Sequence, residues 1–421
     1  MAALQHSVDP TLAALDDLHT QASSDTPRPY LGASAIGNPC DRALWYGFRW
    51  ATTRRIPASG YRAIQDGHRG EAVMIDWLRS LPGIELWTEN PEAPGQQIGF
   101  VDLAGHFRGN LDGIIQGLYQ APKTPHVWEM KVCNETKFNK LVKLIQTIGE
   151  QNALAEWDET YFAQAQVYMH ELELTRHYLI VATPGNRAMV SCRTAYQPKV
   201  AKALLGKAAA IITAERPPLK LRDDPSFYLC KFCDHSPLCH GEALPNVNCR
   251  TCAHSTARID PATPWTCELG KPAISGSQRD CEHHAFHPDL LANLATAIGA
   301  DTQTGVITFL RKDGTTVSNG VGGMSSRDWA MQAAPLDAAP TMEQDVLAEI
   351  AADLAIPPEQ LQAGELSEEQ DFPALTQAVK RFSLRWHGDD RRQQALRALI
   401  EQVDCAYMRL AEGVERRVVQ V

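Results

Sequence analysis

Residues 126–132, His-Val-Trp-Glu-Met-Lys-Val, read as a β-strand in which Glu129 and Lys131 interrupt an otherwise apolar run. The two are two positions apart, so on a strand they share one face. Residues 105–115, Gly-His-Phe-Arg-Gly-Asn-Leu-Asp-Gly-Ile-Ile, read as a neighbouring strand running through Asp112, which can bring a second carboxylate to that face. Two carboxylates, a carbonyl and waters make an octahedral oxygen site suited to Mg²⁺ or Mn²⁺. A lysine beside such an ion can orient an attacking water or stabilise charge on a phosphate.

Two further segments flank this core. Upstream, Gly67-His-Arg-Gly-Glu71 lies in residues 61–80, which read as an amphipathic helix with Val73, Ile75, Trp77 and Leu78 as candidate core. Downstream, Gln164 and Tyr168 are four apart in a helical segment and share a face. Gly-x-x-x-Glu, then Asp, then Glu-x-Lys, then Gln-x-x-x-Tyr, in this order, resembles the RecB-like branch of the PD-(D/E)xK nucleases over about residues 30–240. The resemblance implies an α/β restriction-endonuclease-like core, a mixed central sheet flanked by helices. It implies that Asp112 and Glu129 hold Mg²⁺ or Mn²⁺ and that Glu71 is a further ligand or orienting carboxylate. Lys131 would serve the water, with Gln164 and Tyr168 positioning Lys131 or the DNA backbone. Many members carry His in the first motif, so His68 competes with Glu71 for that place.

Seven of the 11 cysteines fall between Cys230 and Cys281. In a chain without a secretion signal, clustered Cys-x-x-Cys pairs point to metal more often than to disulfides. Cys230, Cys233 and Cys239, together with the distant Cys40, make a set of four thiolates. That layout resembles the iron–sulfur staple of RecB-like nucleases such as the AddB-type subunits, which implies a [4Fe–4S] cluster. Four thiolates suit tetrahedral zinc equally, and spacing alone does not choose. Cys249, Cys252, Cys267 and Cys281 form a second, zinc-ribbon-like set, with His254, His283 and His284 as substitutes.

The 421 residues suffice for two or three domains. The expected organisation is a flexible N-terminal segment (1–28), the nuclease domain with its staple (29–242), a Cys-rich zinc-binding module (245–290) and a mostly helical accessory region (291–421). Within the last, residues 306–317 read as a hairpin turning at Asp313-Gly314. No apolar run approaches the roughly 18 residues of a membrane span, and the N-terminus has no basic-then-apolar leader. The expectation is a cytoplasmic protein. The net charge of −10 argues against nonspecific coating of DNA. Basic residues nevertheless gather early, and Arg42, Arg49, Arg54 and Arg55 are candidates to grip phosphates.

These readings converge on a metal-dependent DNA exonuclease of phage or prophage recombination, or of DNA end processing, acting on linear ends. No Walker A motif is present, so any helicase activity belongs to a partner; a single-strand annealing protein is the other expected partner. The alternatives are a catalytically inactive DNA-binding or assembly module, and a CRISPR-adaptation-type nuclease.

Overall fold

The run at residues 126–132 forms a strand, and it is the central one of its sheet. A computed structural model describes residues 9–22, 27–54, 56–270 and 281–333. By internal contacts the chain forms two units, residues 16–331 and residues 1–15 with 332–421. Of the second unit the described residues are 9–15, 332 and 333, the ends of two helices.

In chain order the elements are α1 (Pro10–Ala22), β1 (Leu31–Gly32), α2 (Asp41–Phe48), α3 (Ala58–Arg79), β2 (Glu85–Trp87), β3 (Gly99–Asp102), β4 (Phe107–Asn110), β5 (Gly113–Gln116) and β6 (His126–Val132). There follow α4 (Glu135–Ile148), α5 (Glu150–Trp157), α6 (Glu159–Glu171), β7 (Arg176–Ala182), β8 (Met189–Ala195) and α7 (Pro198–Thr213). Two short helices, α8 (Tyr228–Lys231) and α9 (Ser236–Cys239), precede β9 (Ser255–Ala257), β10 (Trp265–Cys267), β11 (Ala295–Ala300), β12 (Ile307–Arg311), β13 (Thr316–Asn319) and α10 (Ser326–Ala333).

The main sheet runs β2-β5-β6-β7-β8. β6 and β7 are parallel, with Glu129 opposite Leu179, and every other pairing is antiparallel. The β6-to-β7 connection therefore has to cross over a face of the sheet, and α4, α5 and α6 make that crossing. Asn134 starts α4 by accepting the Lys137 N–H (2.9 Å), and Asp158 starts α6 by accepting the N–H groups of Thr160 and Tyr161 (3.0 Å each). Residues Ala163 to Met169 of α6 are all buried, which is why its sequence lacks an amphipathic period. The helix also presses on the turn after β1: a Cβ on Gly37 would lie 2.5 Å from Thr160 Cα. Gly37→Ala is expected to cost about 2–3 kcal/mol of unfolding free energy in urea; an unchanged midpoint would show that this approach does not limit packing.

Two sequence expectations are corrected. The segment 105–115 is not one strand. β4 pairs with β1 and β3 in a separate three-stranded sheet, and β5 belongs to the main sheet. The chain changes sheets at Leu111-Asp112, so Asp112 stands at the seam. On α3 the buried face is Gly70, Met74 and Leu78, spaced four apart against Ile115, Trp128 and Met130, while Val73 and Trp77 are exposed. The hairpin expected at 306–317 is present as β12 and β13, which pair antiparallel and are joined by β11 and followed by α10; the helical reading of the tail falls on residues 334–421, outside the described residues.

The segment after residue 245 shares the main core, since Cys249, Ala257 and Trp265 belong to the same apolar cluster as Trp45, Phe48 and Phe107. Two arginines cross between them. Arg49 donates to the carbonyls of Arg250 (3.2 Å), Ser255 (3.4 Å) and Ala214 (3.3 Å). Arg250 returns to Phe48 O (2.7 Å) and Pro29 O (2.8 Å), with its guanidinium 4.1 Å from the Trp50 ring centre. Arg49 is 2 % exposed, so it is no phosphate grip. Arg42 donates to Pro218 O, Arg54 faces Asp234 at 3.5 Å on the surface, and Arg55 lies outside the described residues.

His177 on β7 is buried against Val127, and burial lowers its pKa to about 3. A histidine held neutral contributes its stability in full above the unfolded value of about 6.5 and loses it as pH falls below that. Between pH 7 and pH 5 the wild type is expected to lose about 2 kcal/mol that His177→Leu does not lose. A difference between the two proteins that stays constant with pH would refute this.

Candidate active site

The main sheet, its crossover and α3 bring the six sequence-predicted residues together. β6 turns Glu129 and Lys131 to the same face, and the Lys131 ammonium bonds Glu129 Oε1 directly. Asp112 reaches them from the seam: its Oδ2 accepts the Met130 N–H at 2.8 Å and lies 3.9 Å from Lys131 Nζ. A side-chain oxygen thus takes a strand N–H next to the point where β5 begins its pairing with β6. From α6, Gln164 Nε2 donates to Glu129 Oε1 (2.9 Å) and to the Tyr168 hydroxyl (3.2 Å). Tyr168 in turn donates to Asn110 O (2.7 Å), which ties α6 to the strand before Asp112. Glu129 Oε2 is buried and has no hydrogen-bond partner.

On α3, Glu71 is the residue on which Asp112 and Lys131 act. Burial first, and then the Asp112 carboxylate, push Glu71 up to about 7 against the pull of Lys131. Burial likewise raises Glu129, with Lys131 opposing and Asp112 adding. Burial works against the Lys131 ammonium, but Glu129 and Asp112 outweigh it and hold the charge on. Three carboxylates, Glu71, Asp112 and Glu129, thus share one ammonium, and when all are ionised the group carries two uncompensated negative charges.

Sequence reasoning missed Tyr161. Its ring centre lies 5.5 Å from Lys131 Nζ and 4.8 Å from Lys137 Nζ, close enough for each cation to feel the ring face. The signal was present, since Tyr161 precedes Gln164 by three positions and shares its helix face.

The cysteines gather as two sets. Cys40, Cys230, Cys233 and Cys239 line one cavity of about 690 Å³, with Arg42, Tyr46 and His235 in its wall. Burial raises the Cys230 and Cys233 thiols, and Cys40 and Cys239 raise them further. Of the second set, Cys249 is pushed up to about 11 by burial, then by Cys281 and Cys267. Cys252 goes to about 12 by burial, with Cys249 and Cys267 adding to it. None of the eight is in a disulfide. His254 and His284 are engaged elsewhere, with Gly305 O and with Ser326 and Asn248 O respectively. Among the described residues no group of three or more His, Cys, Asp or Glu side chains stands ready-made to hold a metal ion.

No family model and no curated protein matches the chain. Solved structures overlap it loosely. One, described as SSO0001, is 16 % identical with a TM-score of 0.32, covering 54 % of this chain and 96 % of its own. An alkaline exonuclease (LHK-Exo) from Laribacter hongkongensis is 15 % identical with a TM-score of 0.28, covering 46 % and 90 %. The same exonuclease in complex with dAMP is 11 % identical at 0.28, covering 47 % and 90 %. Overlap this loose carries no functional argument, which rests on the side chains above. No helix among the described residues is long and apolar enough to cross a membrane.

Proposed function

We propose that the chain is a metal-dependent deoxyribonuclease of the RecB-like PD-(D/E)xK type that hydrolyses phosphodiester bonds at linear DNA ends. The observation that carries the reading is the meeting of Glu71, Asp112, Glu129 and Lys131 from three separate elements, with one oxygen of Glu129 buried and unpartnered. Nothing in packing explains three carboxylates within electrostatic reach of one another and of one ammonium. The three carboxylates are not preset at metal-ligand spacing, but a divalent cation would draw them together, since two positive charges answer the two that are uncompensated, and carboxylate oxygen is the donor Mg²⁺ and Mn²⁺ prefer.

Asp112, Glu129 and Glu71 would hold the ion, which when bound supplies Lewis acidity and a water of lowered pKa. Lys131 keeps its proton and stands beside the carboxylates, placed to stabilise charge developing on the phosphate. Gln164 fixes the rotamer of Glu129, and Tyr168 fixes Gln164 through Asn110. The first cysteine set suits a [4Fe–4S] cluster, four thiolates around a cavity, tying α2 to the end of the nuclease region. The second set suits structural zinc. A helicase or single-strand annealing protein is the expected partner for a nuclease without a motor of its own.

The test is cleavage of end-labelled linear and circular DNA with Mg²⁺ or Mn²⁺ by anaerobically purified protein. Shortening of the linear substrate alone supports the exonuclease reading. Nicking of the circle would make the enzyme an endonuclease. Metal and DNA binding without cleavage of either would favour a binding module.

A further inference from the structure

The geometry points to Asn186 as a positioning residue for Glu71, acting through the backbone of α3; the assignment rests on the nuclease reading above. Asn186 sits in the turn between β7 and β8, 116 positions from Gly70 in sequence, yet it is only 6 % exposed. Its Nδ2 donates 2.9 Å to the carbonyl of Gly70, the residue before Glu71. Its Oδ1 is buried with no partner. A Cβ on Gly70 would lie 2.9 Å from Val132 Cγ2 and 3.0 Å from Asn186 Oδ1. Gly70 therefore lets α3 settle onto the end of β6, one residue past Lys131, and Asn186 grips the helix at that point.

The backbone by itself argues for a different residue. Asn186 has φ 54°, in the left-handed region, where glycine sits without penalty. Asparagine tolerates that region better than most side chains but not as well as glycine. An amide there, with one polar atom left unsatisfied, is explained by what its other end does. Glu71 has to be held toward Asp112 against like-charge repulsion, and a helix free to slide along its axis would relax away from it. The Asn186–Gly70 bond opposes that slide.

The test uses Asn186→Gly, which keeps the left-handed backbone and deletes the bond. The readouts are cleavage of linear DNA, Mn²⁺ binding by calorimetry and the thermal midpoint. The expected result is a fall in kcat and in Mn²⁺ affinity of about tenfold each, with KM for DNA unchanged and the midpoint unchanged or higher. In a Glu71→Gln background the same change is expected to add no further loss in either readout, because the group it positions is gone. Unchanged kcat and Mn²⁺ affinity in Asn186→Gly would overturn the assignment. So would a loss of equal size in the Glu71→Gln background, which marks a general structural role. If the wild type neither cuts DNA nor binds Mn²⁺, the nuclease reading itself has failed and this assignment falls with it. If the wild type cuts and Glu71→Gln is harmless, only the assignment falls.

Discussion

Lys131→Ala is expected to reduce cleavage of linear DNA by about 10³-fold while leaving a folded protein that still binds Mn²⁺. The ammonium is the single cation among three carboxylates, bonded to Glu129 and 3.9 Å from Asp112. Removing it takes away the group placed to meet charge developing on the phosphate, but it leaves the oxygens that hold the ion. Glu129→Gln is the contrasting variant: cleavage and Mn²⁺ binding are expected to fail together, because a neutral amide removes charge from the ligand set. Calorimetry with Mn²⁺ on both variants, beside the cleavage assay, reads the two effects separately. If Lys131→Ala cuts at the wild-type rate, or if both variants bind Mn²⁺ as the wild type does, the roles given to these residues are wrong.

The second large effect is expected from a residue with no side chain. Gly109 lies on β4 opposite Phe100, and a Cβ there would collide with the Tyr168 ring, 2.7 Å from Phe100 Cε1 and 3.0 Å from Ala33 Cβ. None of these neighbours has room to retreat, since Phe100, Ala33 and Tyr168 are all buried in one cluster. Gly109→Ala is expected to cost about 3 kcal/mol of stability. It also pushes on the Tyr168–Gln164–Glu129 chain, so kcat is expected to fall about tenfold in the protein that remains folded. Tyr168→Phe removes the hydroxyl without the steric push and separates the two contributions. A Gly109→Ala protein with wild-type unfolding and wild-type kcat would show that the ring moves aside freely.

The grouping of the candidate site residues was more legible in the sequence than the scaffold that assembles it. Glu129, Lys131, Gln164 and Tyr168 announce themselves because a charge, amide or hydroxyl at period two on an apolar strand, or period four on a buried helix, has few packing reasons to be there. Asp112 was recognisable as a residue but not as a position. A strand that leaves one sheet and enters another keeps its extended backbone throughout, so the local pattern of residues 105–115 carries no mark of the change. The buried face of α3 was misjudged because Trp77 and Val73 are apolar without being inward, whereas Gly70, whose missing side chain admits the sheet, reads as neutral. Arg49 was mistaken for a surface charge because its partners are main-chain carbonyls as many as 206 positions away, and no window on the sequence contains them.

That last contact has a consequence for how the chain is made. The bonds between Arg49 and the carbonyls of Arg250 and Ser255 span 201 and 206 residues, and Trp265 stacks on Phe48 from later still. Synthesis runs at about 5–20 residues per second, so the end of α2 waits on the order of ten seconds or more for the segment that covers it. During that interval Phe48 and Trp50 lack part of their cover, and Arg49 lacks two of its acceptors. Long-range closure of this kind slows folding and leaves apolar surface open to aggregation. A fragment ending at residue 242, which on motif boundaries would be a natural expression target, would hold that unfinished state permanently. The shortest productive fragment therefore has to extend past Trp265.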